Sequence, residues 1–184
     1  FMVGQVNPDL KFNLNSVKNG DLLVGLSSNG LHTNGFSLVR SVFNLDNDLS
    51  SLYEIVPQTN RSLGNLLIAP HKNYKNSIDP INTIVKSLSH ITGGGIIGNL
   101  PRSIPGNLGA EIIKDSWDIP ELFNFIQKRG NIKIKEMFNV FNMGIGMIVV
   151  IDKKHKETIQ KLIPDARIIG VVTNHSSGEK IKFK

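Results

Sequence analysis

Short apolar runs alternate along this chain with segments whose apolar residues recur at helical spacing, and that alternation restricts it to layered folds of sheet and helix. Asp21 to Leu26 follows the turn signal Asn19-Gly20 and reads as a buried strand. A small, polar stretch from Ser27 to Gly35 comes next. Phe36, Val39 and Phe43 then share one helical face, so the order is strand, loop, helix. Further along, Ile81, Ile84, Val85 and Leu88 fall at helical spacing and predict a helix within 76–89 that starts near Pro80.

Ala110 to Ile113 reads as a strand. Pro120 to Gln127 reads as a helix with Pro in its first turn and Gly130 past its end. A short helix over 134–141, a strand over 147–151, a helix over 156–163 and a final strand over 167–172 complete the pattern. Asp46 to Gly64 is rich in Asn, Asp and Ser and reads as a connection with some helix around Leu52-Tyr53. The expected fold is α+β, a mixed sheet with helices on both faces, in a single domain over 1–184. The longest apolar run, Met143 to Ile151, is far shorter than the ~18–20 residues a membrane-spanning helix needs.

Composition narrows the function classes. The chain has no cysteine, which excludes disulfides, thiolate nucleophiles and thiolate metal sites. With no basic, apolar leader at Phe1-Met2-Val3-Gly4, the expected setting is cytoplasmic. The start at Phe rather than Met suggests a chain cut from something longer. A net charge of +6 invites a nucleic-acid reading, yet the basic residues are scattered and no aromatic–basic interleaving accompanies them. Neither nucleic acid nor membrane is an expected partner. A mild positive field suits a phosphorylated small molecule.

Two glycine-bearing loops carry the chemical interest. In Ser27 to Gly35 the chain leaves a strand and enters a helix through residues that let an anion approach the backbone, with short hydroxyl and amide side chains beside it. The plain alternative is a turn in which Asn34 or Gly35 caps the helix. For His90 to Gly95 the alternative is a bend permitting close packing. Gly93 to Gly98 also satisfies G-x-G-x-x-G, but a dinucleotide site needs an apolar strand before it and an acid about 20 residues later. The expected helix before His90 argues against that. Glycines alternate with large residues in Phe141 to Met147, which favours a structural reading as a bulge or close approach in a strand, with Asn142 the one side chain able to reach a ligand. His32, His71, His90, His155 and His175 show no metal-binding spacing, and no metal site is expected.

At these residues a resemblance emerges. Gly20 to Arg40, Leu66 to Pro70, His90 to Gly95 with Asn99 to Arg102, Trp117 to Pro120, Phe141 to Met147 and Ile168 to Val172 follow one another as in the aminoimidazole ribonucleotide synthetases. The chain resembles the C-terminal half of that family over nearly its whole length. The wider superfamily includes formylglycinamidine ribonucleotide synthetase, selenophosphate synthetase, thiamine-monophosphate kinase and a hydrogenase maturation factor.

The resemblance implies an ATP-dependent cyclo-ligase of purine biosynthesis, with formylglycinamidine ribonucleotide as substrate. It implies substrate contacts by Ser28, Asn29, Gly30, His32, Thr33, Asn34 and Gly35, and by Thr92, Gly93, Gly94 and Gly95. It places most ATP and Mg2+ contacts, and much of a homodimer interface, on an N-terminal half that this chain lacks. The isolated chain is then expected to be inactive, with a monomer open to it. Asn29 and Thr33 stand where the family usually has Ser. Ala69-Pro70-His71-Lys72-Asn73-Tyr74 stands where it usually has Thr-Pro-Thr-Arg-Ile-Tyr, and Lys72 lacks the two-pronged geometry of arginine. A non-catalytic phosphate-ligand module and a related synthetase with another substrate are the competing readings.

Overall fold

The computed structural model describes residues 3–5 and 12–184. In chain order the elements are β1 (Leu22–Ser27), α1 (Phe36–Val42), β2 (Ile55–Val56), β3 (Arg61–Ser62), α2 (Leu63–Leu67), α3 (Lys75–Ile78), β4 (Val85–His90) and α4 (Gly95–Asn99). They continue with β5 (Leu108–Ile112), α5 (Glu121–Gly130), α6 (Ile134–Val140), β6 (Ile145–Ile151), α7 (Lys156–Leu162), β7 (Arg167–Asn174) and β8 (Ile181–Phe183). The main sheet has six strands in the order β4-β6-β1-β7-β5-β8. Its neighbours run antiparallel except β5 and β8, which are parallel, so the sheet is mixed as the sequence implies.

Helices cover both faces because both faces are apolar. Side chains alternate across a strand, so β6 sends Ile148 and Val150 to one side and Val149 and Ile151 to the other. The first side packs on α1, α2, α4, α5 and α6 through Val39, Leu63, Ile96, Phe123 and Met137. The second packs on α7 and on the turn Asp79–Ile81 through Ile159 and Ile81. A strand buried on both faces reads as a continuous apolar run, which explains why β1 and β6 are evident in the sequence.

One expected element is wrong. Residues 85–90 are not the end of a helix but the edge strand β4, paired with β6 with Leu88 opposite Val149. Its inward positions are Val85, Ser87 and Ser89, so the strand period runs through two buried serines and is invisible to a hydrophobicity pattern. Helix remains upstream only as the single turn α3 and the short turn at Asp79–Ile81. Strand β8 is a second departure. Ile181 in the basic tail is buried where β8 pairs with β5. At the end of α5, Gly130 lies inside the helix, and Asn131 supplies the left-handed cap at φ 46°.

Lys86 on β4 reaches Asp21, just ahead of β1, with Nζ to Oδ1 at 2.6 Å, while the other carboxylate oxygen accepts from Lys18 N–H at 2.7 Å. The Asp21 side chain is 6% exposed and that of Lys86 16%. A buried pair of this kind is worth little against an apolar replacement, but removing Asp21 leaves Lys86 only its longer contact, 3.6 Å, to the Asp152 carboxylate. Asp21→Ala is therefore expected to destabilise the fold by ~3–5 kcal/mol in chemical denaturation, and the double variant Asp21→Ala/Lys86→Met to recover part of that loss. Equal loss in both would show that the pair is not coupled.

Candidate functional site

Loop 28–35 leaves the end of β1 and is held from beneath by one side chain. Asn142, just before β6, is 3% exposed. Its Nδ2 donates to Gly30 O at 2.8 Å, and its Oδ1 accepts from Ser28 Oγ at 2.8 Å and from Gly144 N–H at 2.9 Å. Ser28 N–H donates to Gly144 O at 2.8 Å. Gly35 enters α1 at φ 85°, and a Cβ there would lie 2.2 Å from the Phe141 ring. This glycine is demanded by packing as well as by backbone conformation. Gly35 stands at the N-cap of α1 and no side chain among the described residues caps it, so the plain alternative holds for Gly35 and not for Asn34.

Loop 91–95 follows β4. Asn99, buried in α4, holds it: Nδ2 reaches the carbonyls of Thr92, Gly93 and Gly95 at 3.2, 3.2 and 2.8 Å, and Oδ1 accepts from Thr92 Oγ1 at 3.0 Å. At Gly95, φ is 56°, and a Cβ would lie 1.9 Å from Phe138 O, so no other residue fits. The two loops meet, since a Cβ on Gly93 would sit 3.3 Å from Asn34 Oδ1. Asn29, Thr33, Gly93 and Gly94 are exposed and Asn34 half-buried, so the outer rim of both loops faces solvent.

Of the residues singled out in the sequence, Ser28, Asn29, Gly30, His32, Thr33, Asn34, Gly35, Thr92, Gly93, Gly94 and Gly95 all fall on these two adjoining loops. The structure gives Asn142 a different task from the expected ligand contact. Its amide is buried and committed to the loop backbone, so it braces the site from inside. The helix starts behind the loops are also modest, because α1 has seven residues and α4 five. A helix dipole therefore contributes little at either loop.

The G-x-G-x-x-G match at Gly93 has the preceding strand that the sequence reading denied it, namely β4. A dinucleotide site still does not form here. β4 runs antiparallel to its neighbour β6, whereas that site belongs to a parallel strand–helix–strand unit.

Loop 28–35 turns its own His32 into an aromatic and cationic cluster that sequence spacing did not disclose. The His32 ring, 6% exposed, stacks on His71 at 4.0 Å and meets Tyr74 edge-on at 6.2 Å, and His71 lies 5.2 Å from His90. Tyr74 OH donates to Ser27 O and Lys72 Nζ to Ser27 Oγ, each at 2.9 Å. Burial pushes the Tyr74 phenol up, so it stays a donor. Burial, followed by the charges of His71, His90 and Lys72, lowers His32 from 6.5 to about 4, and burial and then His71 lower His90. The one advance signal was the departure of 69–74 from the family pattern.

Two adjoining strand-to-helix loops on a mixed sheet, with histidines and a lysine beside them, form the candidate site of an α+β domain. Residues 18–182 match the family described as AIR synthase related protein, C-terminal domain, and the chain belongs to that family. The Phosphoribosylformylglycinamidine cyclo-ligase of Thermoanaerobacter sp. (strain X514) is 40% identical over 183 residues, covering 97% of this chain and 54% of that relative. The chain thus spans about half the length of the curated relatives it matches.

Among solved structures, thiamine-monophosphate kinase from Stenotrophomonas maltophilia K279a superposes with TM-score 0.63 at 13% identity, covering 98% of this chain and 55% of that one. T. maritima PurL, complexed with AMPPCP, superposes with TM-score 0.51 at 13% identity, covering 92% and 24%. At such identities the likeness is one of fold.

Removing the brace should expose what it holds. Asn142→Ala leaves Gly30 O and Gly144 N–H without their partner and is expected to cost ~2–4 kcal/mol in unfolding free energy, with faster amide exchange confined first to 28–35. Unchanged exchange there would remove Asn142 from that role.

The His32 ring should remain neutral well below the ordinary histidine range. Its titration midpoint by NMR is expected at about 4. Because folding depresses this pKa, the unfolded chain binds the proton first. Stability is then fully present above about 6.5 and falls progressively as pH drops toward about 4. A midpoint near 6.5 would contradict this environment.

Proposed function

We propose that this chain is the C-terminal, substrate-side half of a phosphoribosylformylglycinamidine cyclo-ligase, acting on formylglycinamidine ribonucleotide. The observation that carries the reading is that 40% identity over 97% of the chain coincides with two adjoining loops whose exposed rim is backbone, amide and hydroxyl. The reaction closes an imidazole ring at the expense of ATP. Phosphoryl transfer to the formamide oxygen makes a leaving group, and the amidine nitrogen then attacks that carbon.

The part played by this half is binding and alignment. The loops at 28–35 and 91–95 take the phosphorylated ribonucleotide, with Asn34 and Thr33 from one and Gly93 and Gly94 from the other. Asn142 and Asn99 hold both loops rigid, so that nucleophile and electrophile meet in register. Lys72 and the clustered histidines supply a positive or polar base to the cleft.

ATP and Mg2+ are assigned to an N-terminal half outside this chain, which also supplies much of a homodimer interface. Neither 27–35 nor 90–95 contains Asp or Glu, so these loops lack the carboxylate oxygens that Mg2+ prefers. The setting is cytoplasmic, in keeping with a chain free of cysteine and with no helix among the described residues long and apolar enough to cross a membrane. Alone, the chain is inactive.

Calorimetric titration with aminoimidazole ribonucleotide is expected to show one-to-one binding that Asn34→Ala weakens by roughly tenfold, a loss of about 1.4 kcal/mol. ATP–Mg2+ should give no heat. Binding of ATP–Mg2+ without the ribonucleotide would contradict the assignment of ligands to halves.

A further inference from the structure

We infer that His32, His71 and His90 form a three-imidazole site for a divalent transition-metal ion, with Zn2+ as the first candidate. The three residues come from separate places in the sequence: the loop after β1, the segment before α3 and the last residue of β4. Each offers one ring nitrogen, and the three nitrogens lie within 4.8 Å of one another. The Nε2 atoms of His71 and His90 are 3.2 Å apart. Two imidazole nitrogens bound tetrahedrally to one Zn2+, each at about 2.0 Å, are separated by about 3.3 Å. One pair is therefore already spaced for an ion. His71 and His90 are both exposed, so turning these rings toward a common point gives up the His32–His71 stack but no buried packing.

The chemistry of the donors fits. Imidazole nitrogen is a good ligand for such an ion, and all three residues offer one. His32 is also oriented by an outer partner. Asn29 Nδ2 donates to Pro70 O at 2.5 Å, which turns its Oδ1 toward His32 Nε2 at 3.0 Å. The 3.5 Å approach of Asn29 N–H to the same nitrogen is the weaker contact. The proton then sits on Nε2, and the lone pair on Nδ1, a buried atom with no hydrogen-bond partner among the described residues. A ligand histidine held through its other nitrogen is the usual arrangement around a bound metal.

The cluster contains no carboxylate, which favours Zn2+, Co2+, Ni2+ or Cu2+ over Mg2+ or Ca2+. The Lys72 ammonium beside His32 opposes a dication and limits the affinity. With three protein ligands, the fourth position is left to water or to an oxygen of a ligand on the neighbouring loops. An ion here ties loop 28–35, segment 69–74 and the end of β4 together.

The test uses the untagged, chelator-treated chain and Zn2+ alone. Calorimetry is expected to show one ion per chain. His71→Ala and His90→Ala should each weaken binding by roughly tenfold or more, while His155→Ala, outside the cluster, leaves it unchanged. Co2+ in place of Zn2+ should give the visible absorption of a tetrahedral nitrogen site, lost in the same two variants. Circular dichroism checks that the variants are folded, which the exposure of both residues favours. Absence of saturable one-to-one binding in the parent chain would overturn the site, as would equal affinity in folded His71→Ala.

Discussion

The site depends on the amide of Asn142. A carboxamide has two donors and two acceptor lone pairs, and here it joins a carbonyl, a hydroxyl and an N–H belonging to two stretches of chain far apart in sequence. Without those bonds, loop 28–35 would have to satisfy its buried polar groups in some other conformation, and its contact with Gly93 would be lost. Asn99 does the same for the second loop with three carbonyls. Two buried amides convert small, intrinsically mobile stretches into fixed surfaces. The proposed binding site requires such rigidity of glycine-rich loops that would otherwise serve as linkers.

The sheet supplies the second constraint. β1 lies between β6 and β7, and its carboxyl end launches loop 28–35. β4 pairs with the far side of β6 and launches loop 91–95. Because β6 separates the two strands, their loops emerge side by side, and Asn142 sits in the approach to β6 between them. Helices on both faces keep the sheet dry, so the register that sets this spacing is strongly specified. Asp21 and Lys86 add a charged tie between the β1 and β4 regions at the opposite end of these strands.

Much of this was legible in the sequence where one physical signal dominated. β1, β6 and β7 announce themselves as apolar runs because they are buried on both faces. α5 is legible from its apolar face and its initiating proline. β4 was not legible, since Ser87 and Ser89 occupy its inward positions and leave Ile81, Ile84, Val85 and Leu88 in accidental helical register. β8 escaped notice because three residues with one buried Ile181 hardly differ from a basic tail. The two loops were found by composition, but the division of labour within them was not. Whether Asn142 points outward to a ligand or inward to a backbone depends on tertiary contacts. The histidine cluster is likewise a product of the fold, as no linear spacing relates His32, His71 and His90.

NMR chemical-shift mapping with aminoimidazole ribonucleotide tests whether the two adjoining loops form one ribonucleotide-binding surface. Concerted shifts are expected at Thr33, Asn34, Gly93 and Gly94, with smaller changes at the bracing amides of Asn142 and Asn99. A separate, largely apolar cavity of about 390 Å3, lined by Ile97, Ile134, Phe138, Lys180 and Phe183 among others, includes no residue of either loop. Shifts confined to that cavity, or to only one of the two loops, would rule out a shared surface.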